Sequence, residues 1–257
     1  MSRIEGQRVL ITGASAGIGE ACASRFAEDD ANLVLWARRI DRLEDLATRL
    51  RDAHGVSVEV AGVDVRDRDA VSAAAADLTE RGGLPDILVN NAGLASGLDP
   101  VQTGSLDDWD RMIDTNVKGL LFVTRAFLPG MIARETGHVI NIGSIAGRQI
   151  YPRGAVYTAT KFAVRALTEG TSIDLLGTMI RVSSVSPGLV ETDFSRVRFH
   201  GDEERAAAVY ADTTPLTAGD VAECVSFVAN APPHVNVADV LVLATDQRSA
   251  HHLHRNS

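Results

Sequence analysis

RVLITGASAGIG, residues 8–19, is the stretch that decides the fold of this chain. Its first part, 8–12, is an apolar and β-branched run that predicts a buried strand, and residues 18–29 have the apolar periodicity of a helix. The glycines between them remove side chains where a backbone can approach a pyrophosphate at a helix N-terminus, which favours anions. The candidate cofactor-binding residues in this turn are Gly13, Ser15, Ala16, Gly17, Ile18 and Gly19. The spacing Gly-x3-Gly-x-Gly departs from the generic Gly-x-Gly-x-x-Gly fingerprint, so an ordinary tight turn stays open as an alternative on this segment alone.

The rest of the chain continues the alternation of strand and helix. The pattern predicts further strands at 32–37, 56–63, 86–90, 138–142, 179–185 and 237–244, and further helices at 41–53, 67–80, 106–131, 151–176, 202–211 and 217–230. This alternation predicts an α/β fold, a single-domain Rossmann-type doubly wound parallel sheet of about seven strands with helices on both faces. No repeat or low-complexity linker divides the chain. We therefore expect one domain over 1–257, in which 8–150 mainly binds a dinucleotide and 186–212 covers the substrate.

Composition excludes several classes of function. The net charge is −9 in 257 residues, so the chain lacks the basic footprint of a nucleic-acid binder, and an anionic substrate would need local positive charge. No secretion signal and no apolar run of about 20 residues occurs, which predicts no membrane segment and a cytoplasmic location.

Cys22 and Cys224 lack the spacing of zinc ligands, and no metal site is predicted. The tail residues His251, His252 and His254 could bind a metal in principle, but we expect a frayed terminus.

Two arginines follow the second predicted strand. In a doubly wound fold this strand end meets the adenosine ribose, where an acid would bind a free 2′-hydroxyl and an arginine accommodates a 2′-phosphate. Arg38 and Arg39 stand there without an acid, which predicts NADP(H) in preference to NAD(H), with Ser15 as a further phosphate contact. The alternative is that both guanidinium groups are merely solvated at a strand end.

Polar residues also follow the later strands, at the edge of a parallel sheet where ligands collect. We expect Asp64 and Val65 near the adenine and Asn90, Ala92 and Gly93 along the cofactor, although Asn and Gly favour turns without any ligand.

Tyr157 and Lys161 are four positions apart and therefore share one face of a helix. A tyrosine has an ordinary pKa of about 10, and a nearby lysine cation is expected to lower that pKa by favouring the phenolate. Tyr157 is thus a candidate general acid and base. Alone, such a pair is more often a half-buried aromatic beside a solvated lysine, and the rest of the chain has to decide between the two readings.

These motifs occur together in one order: the glycine turn, Asn90-Asn91-Ala92-Gly93, Asn116, Ser144, Tyr157-x-x-x-Lys161 and Pro187-Gly188. In this order and spacing the chain resembles the short-chain dehydrogenase/reductase family over nearly its whole length. The resemblance implies a nicotinamide cofactor and a catalytic tetrad of Asn116, Ser144, Tyr157 and Lys161. In that tetrad Tyr157 exchanges the proton, Ser144 holds the substrate oxygen, Lys161 binds the nicotinamide ribose and Asn116 positions a water. It also implies cofactor contacts from Pro187, Gly188, Val190 and Thr192.

Within the family, the stretches 107–116, 124–130 and 194–199 look most like NADP-dependent 3-hydroxy acid dehydrogenases, which oxidise serine-like acids or reduce malonic semialdehyde. This implies a cytosolic homotetramer and a small, anionic substrate. The candidates for binding its carboxylate are Arg198, Arg148 and Arg153, since an arginine fork matches a carboxylate; Arg198 could instead pair with an acid inside the cover. Reduction of sulfoacetaldehyde, another aldehyde or a ketone is the alternative, and a non-catalytic dinucleotide sensor is a further one.

Overall fold

The computed structural model describes residues 2–256 and contains one sheet with helices on both faces. Its strands are β1 (Arg8–Thr12), β2 (Asn32–Ala37), β3 (Val58–Gly62), β4 (Ile87–Asn90), β5 (Gly137–Ile142), β6 (Ile180–Pro187) and β7 (Asp239–Val242). Its α-helices are α1 (Gly17–Glu28), α2 (Ile40–His54), α3 (Arg68–Glu80), α4 (Leu106–Ile113), α5 (Leu120–Ala133), α6 (Ala155–Asp174), α7 (Phe194–Arg198), α8 (Glu203–Tyr210) and α9 (Ala218–Ala229).

The seven strands are parallel and lie in the order β3-β2-β1-β4-β5-β6-β7. The strand order reverses at β1, which pairs with β2 on one side and with β4 on the other. A crevice opens at such a switch point above the carboxyl ends of the strands. The predicted Rossmann-type doubly wound sheet is thus confirmed.

Alternating side chains of the strands feed two cores. Val9 and Ile11 of β1 pack with α1, α2 and α9 on one face, whereas Leu10 packs with α3 and α5 on the other. Parallel strands covered on both faces are apolar along their whole length, as β1 is. Packing in the two cores holds the strands in place, and the residues that follow the strand ends are thereby positioned around the crevice.

The helix predicted at 106–131 is interrupted in the structure. A π-helical segment, Asp114–Gly119, lies between α4 and α5 and contains Asn116. A π turn places one extra residue in the helix, so it rotates the side chains that follow, and such segments are frequent at functional sites.

The chain ends in a tail that is bound to the cover, unlike the frayed terminus expected from its composition. Gln247 and Leu253 form an antiparallel bridge, the amide of His254 donates to Asp246 O at 2.8 Å, and the amide of Asn256 donates to Asp212 O at 2.7 Å. The first two contacts lie within the tail, and the contact with Asp212 holds the tail against the segment just after α8.

Within residues 2–256 no three His, Cys, Asp or Glu side chains stand close enough to hold a metal ion. Among the helices of that same part of the chain, none has the length and apolar content required to cross a membrane.

Candidate active site

A cavity of about 540 Å³ lies above the carboxyl ends of the central strands. Many of the predicted site residues line it: Gly13, Ser15, Ala16, Gly17, Ile18, Arg38, Arg39, Asp64, Val65, Ala92, Gly93, Ser144, Tyr157, Lys161, Pro187, Gly188, Val190, Thr192 and Arg198. The predicted residues outside its lining are Gly19, Asn90, Asn116, Arg148 and Arg153. The crevice of the sheet and the sequence motifs therefore coincide.

The glycine turn approaches the end of β4 closely. Gly13 has a φ of +68°, and a Cβ there would lie 2.9 Å from the Cα of Ala92. A Cβ on Gly19 would lie 2.5 Å from both Asn91 Nδ2 and Gly13 O, so neither position has room for a side chain. Gly19 does not line the cavity, but because it has no side chain the first turn of α1 can pack directly on Gly13 and Asn91. The exposed backbone above is a cradle of the shape that a pyrophosphate needs.

The asparagine that supports this turn is Asn91, which the sequence reasoning passed over in favour of its neighbour. Asn91 Nδ2 donates to Thr12 O at 2.9 Å, and the backbone amides of Asn91 and Ala92 donate to Thr12 Oγ1 at 3.1 and 3.0 Å. Asn90 instead points into the protein, where its Nδ2 donates to Thr124 Oγ1 and to Asn141 Oδ1, both at 2.9 Å. The side chain of Asn90 therefore ties β4 to β5 and α5, not to the cavity.

The two arginines after β2 stand at one end of the cavity. Arg39 Nη2 and Nε donate to Ser15 Oγ at 3.0 and 3.2 Å. Burial, together with the positive charges of Arg42, Arg38 and Arg196, lowers the pKa of Arg39. A cluster of like charges beside a hydroxyl and a helix N-terminus is the environment that a phosphate dianion stabilises.

Asp64 and Val65 line the next part of the cavity. Arg66, which the sequence reasoning did not select, donates from Nη2 to Asp64 Oδ2 at 2.6 Å. The hydrogen bonds from Arg66 hold the pKa of Asp64 below its usual value. This ion pair forms a flat polar wall beside the expected position of the adenine.

Tyr157 and Lys161 both face the far end of the cavity from α6, as their spacing predicted. Burial and, to a smaller extent, the Tyr151 phenol raise the pKa of Tyr157 to about 12, although Arg198 and a hydrogen bond with Ser144 act to lower it. The expected lowering of this pKa by Lys161 is not found: the net shift is upward, and the ammonium group donates to Ile142 O at 2.9 Å. Burial also lowers the pKa of Lys161 to about 8.

Ser144 and Asn116 are held beside this pair. Ser144 Oγ accepts from the amide of Ala146 at 3.0 Å, which orients the hydroxyl at the end of β5. Asn116 exchanges two hydrogen bonds of 2.8 Å with the backbone of Leu94 and donates to Thr160 Oγ1 at 3.0 Å. The amide of Asn116 thus locks the π-helical segment to the strand end and to α6, behind the wall of the cavity.

Arg198 is the one of the three candidate arginines that the structure places in the cavity. Its Cζ lies 5.0 Å from the ring centroid of Tyr157 and 5.2 Å from that of Phe194, and its Nη2 donates to Tyr151 Oη at 2.8 Å. In the described part of the chain no ion pair involves Arg198, and its buried Nε has no hydrogen-bond partner. The alternative of an acid partner within the cover is therefore absent from this structure.

The other two candidates lie elsewhere. Arg148 forms an ion pair with Asp239 at the start of β7. Arg153 has a φ of +63° in the turn before α6 and lines a separate small pocket. Sequence alone gave no signal for the aromatic residues that actually frame the site, Tyr151 and Phe194, whose contacts arise only when the cover folds over α6.

The fold and the site together define a dinucleotide-binding oxidoreductase of the Rossmann type, in which Tyr157 and Lys161 face a cavity that Arg198 also lines. The profile of the short chain dehydrogenase family matches residues 7–203. The chain belongs to the short-chain dehydrogenase family.

Known proteins resemble nearly the whole chain. It is 47% identical over 243 residues to an NADP-dependent 3-hydroxy acid dehydrogenase of Salmonella typhi, covering 94% of this chain and 96% of that protein. It is 46% identical to sulfoacetaldehyde reductase 2 of Chromohalobacter salexigens, covering 93% and 94% of the two chains. Among solved structures, the closed form of serine dehydrogenase complexed with NADP+ matches with a TM-score of 0.90 and 44% identity, covering 97% of this chain and 100% of that one.

Proposed function

We propose that this protein transfers a hydride between NADP(H) and the hydroxyl or carbonyl carbon of a small 3-hydroxy acid or its semialdehyde. One observation carries the proposal: the Tyr157 ring and the Arg198 guanidinium, 5.0 Å apart, share one end of a cavity whose other end holds Arg39 and Ser15. One end therefore offers a phenol that can exchange a proton and a cation that can bind an anionic substrate. The other end offers a site for the 2′-phosphate of the cofactor. The similarity to a 3-hydroxy acid dehydrogenase supports the same reading.

The residues of this chain fit the cofactor along the cavity. The glycine cradle would hold the pyrophosphate, Arg38, Arg39 and Ser15 the 2′-phosphate, and Asp64 with Val65 the adenine. Pro187, Gly188, Val190 and Thr192, in the first part of the cover, line the cavity and would enclose the nicotinamide half. When bound, the reduced nicotinamide supplies a hydride to the carbonyl carbon.

Tyr157 would move the proton at the substrate oxygen. With its pKa raised to about 12, the phenol holds its proton at neutral pH and can donate it to a carbonyl oxygen as negative charge develops there. Ser144, oriented by Ala146, would donate a second hydrogen bond to the same oxygen. In the reverse direction, oxidation, the phenolate would take the proton back from the hydroxyl of the substrate.

Lys161 would support this transfer from behind. Its ammonium group has three donors, and the bond to Ile142 O uses one of them. The two remaining donors can hold the ribose hydroxyls of the nicotinamide half and stabilise the phenolate when it forms. Asn116 holds the loop after β4 against α6, and we propose that a water bound near it supplies a proton that passes through Lys161 to Tyr157 and replaces the one given to the substrate.

Arg198 would select an anionic substrate. A guanidinium that is half-buried among three aromatic rings, with an unpartnered Nε, lacks the carboxylate that normally pairs with it. A substrate carboxylate in the cavity would provide that partner and place the reacting carbon toward Tyr157. Arg148, which is paired with Asp239, and Arg153, in a separate pocket, are weaker candidates for the same role.

A substrate panel tests this function. Purified enzyme is assayed by NADPH absorbance with malonic semialdehyde, sulfoacetaldehyde and propanal, and in the reverse direction with serine and 3-hydroxypropionate. We expect the highest kcat/KM with malonic semialdehyde and NADPH. Equal kcat/KM values for the charged and uncharged aldehydes would reject the anionic substrate. Tight NADPH binding without turnover of any of them would favour a dinucleotide sensor.

The second candidate is reduction of sulfoacetaldehyde, which the similarity to a sulfoacetaldehyde reductase supports. A sulfonate is also an anion that Arg198 could bind, but its three oxygens occupy a tetrahedral volume whereas a carboxylate is planar and matches the guanidinium fork. A higher kcat/KM for sulfoacetaldehyde than for malonic semialdehyde would establish this alternative.

We also propose a homotetramer in the cytoplasm. Large apolar side chains remain exposed at and beyond the end of α6, among them Ile173, Leu176 and Met179, and a further copy of this chain could cover them. The two cysteines are free thiols, which suits a reducing compartment. Light scattering after size exclusion tests the tetramer, and fractionation of cells tests the location.

A further inference from the structure

A buried acid outside the cavity is linked to the cover. Asp108 lies in the first turn of α4, where acids usually face solvent, yet its side chain is 11% exposed. Its Oδ1 accepts from Ser96 Oγ at 2.5 Å, and its Oδ2 lies 3.2 Å from His200 Nε2. Arg111 approaches the same group, with Nη1 3.5 Å from Ser96 Oγ and 4.0 Å from Asp108 Oδ1.

The same loop holds Arg198 through the backbone. The amide of Gly97 donates to Arg198 O at 2.9 Å. Gly97 has a φ of +70°, and a Cβ there would lie 3.0 Å from Asp108 Oδ2, so the loop can pass this close to the acid only as glycine. Asp108 therefore connects two segments: the loop at Ser96 and Gly97, whose backbone binds Arg198, and His200, which follows Arg198 by two residues.

We infer that Asp108 is a positioning residue for Arg198, an inference that rests on the proposed role of Arg198 in binding the substrate anion. By holding Ser96 on one oxygen and His200 on the other, Asp108 fixes the end of α7 against the loop after β4. This holds the guanidinium 5.0 Å from the centroid of the Tyr157 ring, in the part of the cavity where the substrate anion would bind. Asp108 does not touch the cavity and acts only through the segment that carries Arg198.

The backbone of His200 fits this role. Its φ is +56°, a left-handed conformation that costs most residues free energy and that His, Asn and Asp adopt more readily. The side chain of His200 is 53% exposed, so its contact with Asp108 is an anchor at the rim of the cover and not part of the core. Ending the helix in this conformation turns the histidine back toward α4.

The experiment compares Asp108→Ala with the matched control Asp107→Ala, the neighbouring exposed acid of the same helical turn. The KM for malonic semialdehyde should rise about tenfold in Asp108→Ala, the effect of losing one charge-assisted hydrogen bond. The KM for propanal, kcat and the Kd for NADPH should stay within about twofold, and Asp107→Ala should match the wild type. His200→Asn keeps a side chain that tolerates the positive φ but is too short to reach Asp108, and we expect a rise in the same KM of about threefold.

A double-mutant cycle with Arg198→Leu decides how Asp108 acts. If Asp108 works through Arg198, adding Asp108→Ala to Arg198→Leu should leave the KM for malonic semialdehyde unchanged. Additive effects, an equal rise of KM for propanal, or no effect of both Asp108→Ala and His200→Asn would overturn the inference. The proposed function fails by a different result, namely a wild-type enzyme that does not prefer malonic semialdehyde to propanal.

Discussion

Replacing Arg198 by leucine should convert an enzyme that selects anions into one that does not. In the structure the guanidinium stacks near Tyr157 and Phe194 and bonds to Tyr151, with no carboxylate partner among the described ion pairs. Leucine keeps an apolar side chain against the two rings but removes the charge and all five N–H donors. The change therefore isolates the electrostatic part of substrate binding.

The magnitude follows from the environment of the group. Two unit charges about 4 Å apart interact by about 4 kcal/mol at the effective dielectric constant of a partly buried site. Hydrogen bonds to charged groups contribute about 1.5–3 kcal/mol net, because binding also removes water from both partners. A net loss of about 3 kcal/mol corresponds to a rise of about 100-fold in KM for malonic semialdehyde. Propanal, which has no carboxylate, should change by less than about threefold.

The assay is steady-state oxidation of NADPH with both aldehydes, and Arg198→Lys is the matched control. Lysine keeps the charge but lacks the planar fork, so it should recover part of the loss for malonic semialdehyde. A loss of the same size for both aldehydes would show that Arg198 supports the fold of the cover. An unchanged KM for malonic semialdehyde would refute the assignment of the carboxylate to this residue.

Two further predictions concern the cofactor and the effect of pH. Arg38→Ala combined with Arg39→Ala should lower the ratio of kcat/KM with NADPH to that with NADH by about 100-fold, because the 2′-phosphate loses two charge-assisted contacts; an unchanged ratio would reject the phosphate site. Burial lowers the pKa of His138 from 6.5 to about 3. Between these values the unfolded chain binds a proton that the folded chain does not, so the free energy of unfolding falls as the pH drops. His138 should account for about 2 kcal/mol of that fall between pH 7 and pH 5. Urea unfolding measures the free energy of unfolding at pH 7 and pH 5, and this free energy should fall by about 2 kcal/mol less in His138→Gln than in the wild type. An equal fall in both proteins would contradict the prediction.

The parts of the fold that follow from local pattern could be predicted from the sequence. The apolar run of β1, the glycine turn and the helix after it are contiguous, and they determine the switch point of the sheet. The spacing of Tyr157 and Lys161 likewise fixes their shared face on α6. Both features depend on neighbours in sequence, so the pattern contains the information.

Strand alternation along β4 distinguishes the roles of Asn90 and Asn91. Leu88 packs with α5, and strand alternation puts Asn90 on the same face as Leu88. Asn90 therefore had to point toward α5, where it meets Thr124, and the next residue had to support the glycine turn. Counting along β4 would have selected Asn91.

Other features depend on contacts that the sequence does not encode locally. Arg148 pairs with Asp239, which is distant in sequence, and the π-helical segment around Asn116 rotates the side chains that follow without ending the helix. The pKa of Tyr157 is a further case, because the spacing to Lys161 indicates proximity but not burial. Burial of the phenol outweighs the charges near it and raises the pKa, opposite to the expected direction.

The most direct test of the central claim is Tyr157→Phe, which removes one hydroxyl and keeps the ring that packs on Phe194 and Arg198. NADPH affinity is measured by fluorescence titration, and turnover of malonic semialdehyde is measured in the same preparation. We expect the Kd for NADPH to stay within about twofold while kcat falls by at least about 1,000-fold, the typical contribution of a positioned general acid. A variant that binds NADPH normally and still turns over at a rate near that of the wild type would contradict proton transfer by Tyr157.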